Sequence, residues 1–124
     1  MARTFSATIK ETSRELNAKE RLQIKDTLES LKLDKETNDK DVIIDVDMYA
    51  VIEIHNEKSE SPDYESYVIV DKNGTRYTTA SPSFWNSFMN IWEELANESD
   101  WKLRVYKMPS RNREGKTFIT CSVL

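Results

Sequence analysis

Cysteine, histidine and glycine are scarce in this chain of 124 residues, with one, one and two copies respectively. A lone cysteine, Cys121, excludes an internal disulfide and makes a reducing, cytosolic setting the simpler expectation. The lone His55 has no second histidine or clustered cysteine in sequence, so the spacing of a transition-metal site is missing. With so little glycine there is no phosphate-cradling loop or dinucleotide fingerprint, and no Gly-x-Ser-x-Gly elbow occurs. Catalysis therefore has no motif to rest on, and neither a metal nor another cofactor is expected. No apolar run approaches the roughly 20 residues of a membrane-spanning helix. The opening Met-Ala-Arg-Thr-Phe-Ser is followed by no apolar signal-peptide region. The expectation is a single soluble domain, 1–124, away from membranes and long enough to bury its own core.

Charge, by contrast, is plentiful, at 32% of residues with a net value of −4. Its distribution matters more than its sum. From Trp101 to Leu124 there are six basic residues (Lys102, Arg104, Lys107, Arg111, Arg113 and Lys116) and one acidic residue, Glu114, while the preceding hundred residues carry −9. A basic end on an acidic body creates a local potential that can attract a polyanion despite the negative total.

The clearest local pattern lies at residues 81–96. Phe84, Phe88, Ile91, Trp92 and Leu95 recur at the spacing of one apolar helix face, with Ser81 as cap and Pro82 in the first turn. Trp85 and Met89 fall on the flank of that face and are left without an assigned partner. Strand-type sequence lies on both sides. Ahead of it, Phe5, Ala7 and Ile9 alternate with polar residues, and Asn17 with Glu20 has the capping-box form that starts a helix of about three turns packing Ile24, Leu28 and Leu31. Residues 34–41 read as a polar connector. Val42 to His55 reads as one long bent strand with Asp45, Asp47 and Glu53 together on its polar face. Tyr64–Val70 and Thr75–Ala80 form a hairpin about a two-residue Asn73–Gly74 turn. Strands at 101–108 and 116–124 follow the helix.

Long strand, hairpin, helix and two further strands is the order of a five-stranded OB-fold, the Greek-key oligonucleotide-binding barrel, with its helix between strands three and four. The predicted fold is therefore mainly β with helices: a barrel over 42–124, plus an N-terminal strand and helix with connector over 1–41.

In that frame the chemistry concentrates after the helix. Alternation in the 101–108 strand sets Lys102, Arg104 and Tyr106 on one face, and cations with rings suit single-stranded nucleic acid, holding phosphates and stacking on bases. The next loop adds Lys107, Arg111, Arg113 and Lys116. Phe118, on the polar face of the last strand with Thr120 and Ser122, is a further stacking candidate. Arg76 and Tyr77 are candidates in the third barrel strand, where alternation lets only one of the two face a ligand. The acidic trio Asp45, Asp47 and Glu53 is spread too far along an extended strand for one ion, since Asp47 and Glu53 are about 20 Å apart at the usual rise. An alternative reading is a small acidic phage protein that binds a host protein through exposed Trp85 and Met89.

The stretch Tyr-Val-Ile-Val-Asp-Lys-Asn-Gly-Thr-Arg-Tyr (67–77), the Ser-Pro-Ser-Phe-Trp helix entry (81–85) and residues 106–124 together resemble the small single-stranded DNA-binding proteins of tailed phages of Gram-positive bacteria. The likeness spans roughly 42–124 and rests on overall pattern. It implies an OB-fold that coats single-stranded DNA during phage DNA replication or recombination, often as a homodimer alongside other phage replication or recombination proteins, in the cytoplasm of the infected bacterial host. By position it implies DNA contacts from the aromatic and basic residues of the later barrel strands. Two departures stand out. The chain ends in an apolar strand where bacterial proteins of this function carry an acidic tail, and the first barrel loop holds Glu57, Glu60, Asp63 and Glu65, which repel phosphates.

Overall fold

The computed structural model describes residues 5–26, 29–58, 62–110 and 114–124. Leu28, Glu60, Arg111 and Arg113, which figure in the expectations above, lie outside the described residues. In chain order the elements are β1 (Phe5–Thr12), α1 (Ala18–Lys25), β2 (Leu31–Lys32), α2 (Leu33–Glu36), β3 (Val42–Ile44), β4 (Val46–Asn56), β5 (Asp63–Asp71), β6 (Arg76–Thr79), α3 (Pro82–Leu95), β7 (Leu103–Pro109) and β8 (Thr117–Val123). The chain is mainly β and forms two sheets, ordered β1-β4-β5-β6-β2 and β3-β7-β8, and the two do not close into a barrel. Among the described residues, no helix is long and apolar enough to cross a membrane.

The expected long strand at 42–55 is interrupted at Asp45, and its two parts belong to different sheets. The break is held by Asp71, whose carboxylate accepts from the Asp45 amide at 3.0 Å. A bulge follows at once: Val46 pairs with Asp71 and Met48 with Val70, which leaves Asp47 unpaired and inverts the facing of everything after it. Tyr49 and Val51 therefore join Val46 in the larger core, while Met48, Ala50, Ile52 and Ile54 build a second core on the opposite face. Both faces of β4 are buried, so simple alternation of inside and outside does not describe it. The expected shared face for Asp45, Asp47 and Glu53 fails for the same reason.

The larger core lies between the two sheets and α3, with Phe84, Phe88, Leu103 and Val105 fully enclosed. Ser81 caps α3 by accepting from the Phe84 amide, and Pro82 opens it, as the sequence indicates. Its buried face is rotated from the expected one. Trp85 is 8% exposed, stacked on Tyr67 with ring centroids 4.7 Å apart and planes at 11°, while Ile91 and Trp92 are only half-buried at the core margin. Tyr49 meets Trp85, Phe88 and Trp92 edge-on, so the aromatic partners on β4 and β5 set the roll of the helix.

The N-terminal addition forms part of the larger sheet. β1 pairs antiparallel with β4, and Ile24 of α1 plugs the second core beside Ala7, Ile9 and Leu16. The Asn17–Glu20 capping box forms as expected, although α1 spans only eight residues and Leu31 lies in β2, not in the helix. The 34–41 connector is structured where α2 forms. Leu33 is fully buried in the larger core, and the Thr37 hydroxyl donates to the Leu33 carbonyl at 2.7 Å, so one apolar anchor orders a polar stretch. The β5–β6 turn is longer than a two-residue hairpin. The Asp71 amide bonds the Thr75 carbonyl, the Gly74 amide bonds the Asp71 carbonyl, and within this turn only Gly74 takes a positive φ, 88°.

Candidate nucleic-acid interface

The outer face of the β3-β7-β8 sheet gathers five of the eight expected contacts that fall among the described residues. Its inner face is apolar, with Leu103, Val105, Ile119 and Cys121 all buried, so strand alternation turns Arg104, Tyr106 and Met108 outward on β7. Register then fixes their neighbours. Arg104 lies between Ile43 and Ser122, Tyr106 opposite Thr120, and Met108 opposite Phe118. The Arg104 guanidinium sits over the Tyr106 ring, 4.3 Å from its centroid. Phe118 and Met108 are 44% and 42% exposed, an apolar pair beside that ring.

Lys102 and Lys116 are exposed at the two ends of this face. The Lys102 carbonyl accepts from the Leu124 amide at 2.9 Å, and the Lys116 carbonyl from the Ser110 amide at 2.8 Å, which fixes both backbones to the sheet. The face thus joins two cations at its margins, one over a ring, and exposed apolar side chains between them. It can hold a chain that is anionic along one edge and flat and apolar along the other.

Three expected contacts lie elsewhere. Lys107 has the opposite facing on β7, and its Nζ donates to the Asp34 carbonyl at 2.7 Å and to Asn38 Oδ1. Arg76 projects over the second core and donates to the Gln23 carbonyl of α1. Tyr77 packs half-buried against the larger core, its hydroxyl pushed up first by burial and then by Asp71. The Trp85 and Met89 anchors of the protein-partner reading are corrected as well: Trp85 is core, and Met89 packs partly buried against it.

Two features of the face escaped the sequence reading. Met108 shares the parity of Tyr106, so alternation alone would have found it. Asp41 is the other: its Oδ2 accepts from Arg104 Nε at 2.7 Å, an exposed ion pair across 63 positions of sequence, with nothing local to signal it.

Beyond this face, His55 Nδ1 meets Asp63 Oδ1 at 2.7 Å and its Nε2 meets Glu57 at 3.6 Å, and the Asp63 hydrogen bond leads the effects that push its pKa up. Asp45 pairs with Lys72 and Asp47 with Arg14. Among the described residues no group of three His, Cys, Asp or Glu side chains is placed to hold a metal ion. Burial alone pushes the Cys121 thiol up to about 12, which leaves it an unreactive core residue. No protein-family model matches this chain, and no curated protein or solved structure does either.

Proposed function

We propose that the chain binds single-stranded DNA without regard to sequence, on the outer face of the β3-β7-β8 sheet. The observation that carries this reading is the Arg104–Tyr106 stack beside the exposed Phe118–Met108 pair, with Lys102 and Lys116 at the margins. Rings accept any base, and cations at both ends track a backbone of phosphates. Duplex DNA hides its base faces, so rings on an open sheet select for single strands.

The finer architecture is part of the same proposal. The interrupted strand β3–β4 pairs with β5 through one half and with β7 through the other, a β5–β6 hairpin precedes the helix, and β7–β8 follow it. That connectivity supports an open variant of the oligonucleotide-binding Greek key, with β2 pairing on the β6 edge. The resemblance to phage proteins would set this activity in DNA replication or recombination in the infected host cytoplasm, alongside a homodimer partner and other phage replication or recombination proteins. The protein-partner reading keeps no support from Trp85, which is enclosed.

Replacing Tyr106 and Phe118 singly by Ala tests the proposal. Each substitution is expected to cost about 1–3 kcal/mol in affinity for a fluorescent oligo-dT strand and to leave thermal stability nearly unchanged. Unaltered binding by both variants would refute the proposed face.

A further inference from the structure

On the far side of the larger sheet, away from β3-β7-β8, lies a groove of about 340 Å³. Ser66 and Thr78 line it from β5 and β6, and Tyr64, 37% exposed, stands beside them. Its cations come from the N-terminal addition: Lys32, the last residue of β2, and Lys35 in α2. The volume is at the lower end of the range for small-ligand sites.

Two lysines on one wall repel each other. Partial burial first, and then the Lys35 charge, push Lys32 below the usual lysine range even though the side chain keeps solvent contact. The Lys32 ammonium donates to Ser30 Oγ at 3.0 Å, and Ser30 Oγ lies 3.2 Å from Thr78 Oγ1. That hydroxyl chain fixes the cation relative to the groove floor. Asp34 is the one acid among the lining residues, and its carboxylate accepts from Thr79 Oγ1 at 3.3 Å. Lys107 reaches the Asp34 carbonyl from behind, adding a third cation to the same turn. An anion between Lys32 and Lys35 would relieve their repulsion and take charge-assisted hydrogen bonds from both.

We propose that this groove holds a nucleotide unit, with its phosphate between Lys32 and Lys35 and its base against the Tyr64 ring. The phosphate is attracted by the positive charge that Lys32 and Lys35 bring to this wall. Tyr64 supplies a flat face, and the Ser66 and Thr78 hydroxyls can pair with sugar or base edges. The site gives the N-terminal addition a role beyond extending the sheet, since both cations lie ahead of residue 42. The unit is either a free nucleotide or one residue of a longer single strand. Only the second source rests on the DNA-binding reading above.

The test follows backbone amide resonances of the isotope-labelled full chain during titration with thymidine monophosphate, thymidine, inorganic phosphate and oligo-dT. Thymidine monophosphate is expected to shift the amides of Lys32, Lys35, Tyr64 and Thr78 saturably, with thymidine and phosphate binding about ten-fold or more weakly. The double variant Lys32→Glu/Lys35→Glu, at two exposed positions, is expected to abolish the shifts and to keep the wild-type pattern of resonances elsewhere. If oligo-dT shifts the same amides, the unit belongs to a strand. If only the mononucleotide does, the site stands even where the DNA-binding reading fails. The proposal is overturned if neither ligand moves these amides, if thymidine binds as tightly as its monophosphate, or if the double charge reversal leaves binding intact.

Discussion

Arg104 is shared between two partners: its guanidinium covers the Tyr106 ring at 4.3 Å, and its Nε donates to Asp41 at 2.7 Å. The ring limits the rotamers that must be frozen when an anion arrives, and the carboxylate occupies the position such an anion would take. On this account Asp41 is a competitor for the same guanidinium as a DNA phosphate.

Asp41→Asn should therefore strengthen single-strand binding. The pair is exposed on both sides, and exposed pairs are worth about 0–1 kcal/mol, so the gain is expected to be no more than about five-fold in affinity. Fluorescence anisotropy with an oligo-dT strand measures it. Weaker binding by the variant would mean that Asp41 positions Arg104 usefully instead of blocking it.

Trp85→Ala should damage the fold, not a docking surface. A buried aromatic stacked on Tyr67 and touched edge-on by Tyr49 leaves a large hole when truncated, with an expected loss of about 3–5 kcal/mol. Urea denaturation gives the value, read against the wild-type chain. A loss under about 1 kcal/mol would show that the ring is not enclosed.

His55 gives a pH signature. Its folded pKa is raised, chiefly by the hydrogen bond to Asp63, above an unfolded value of 6.5. The stabilising contribution is thus complete below that unfolded value and disappears as pH rises through the raised one. Asp63→Asn should bring the ring titration back toward 6.5, as followed by its carbon-bound proton resonances, with a residual upward shift from Glu57 at 3.6 Å. Identical titration curves for the two proteins would remove Asp63 as the cause.

Some of this molecule is legible in its sequence because the signal is local. The Asn17–Glu20 box and the Ser81–Pro82 start of α3 are each written within four residues. The outward face of β7 follows from parity, since Leu103 and Val105 are apolar and regular. What was not legible depends on distant partners. The roll of α3 is set by Tyr49 and Tyr67, which offer Trp85 a ring to stack on, and helix periodicity carries no record of them. The bulge at Asp47 exchanges the two faces of β4, and alternation counted across a bulge gives the wrong side. Lys107 leaves the basic face because β7 runs on to Pro109 and its alternation turns Lys107 to the side of Leu103 and Val105, where Asp34 and Asn38 take its ammonium. The ordering of α2 similarly depends on the enclosed place that Leu33 takes in the core between both sheets.

The central claim is tested most directly by measuring oligo-dT and duplex affinities side by side across a salt series. With Lys102, Arg104 and Lys116 on phosphates, the logarithm of affinity should fall against the logarithm of salt with a slope of about −2 or steeper for the single strand. Duplex of the same length should bind much more weakly at every salt concentration. Equal affinity for duplex, or no detectable single-strand binding at low salt, would contradict the account.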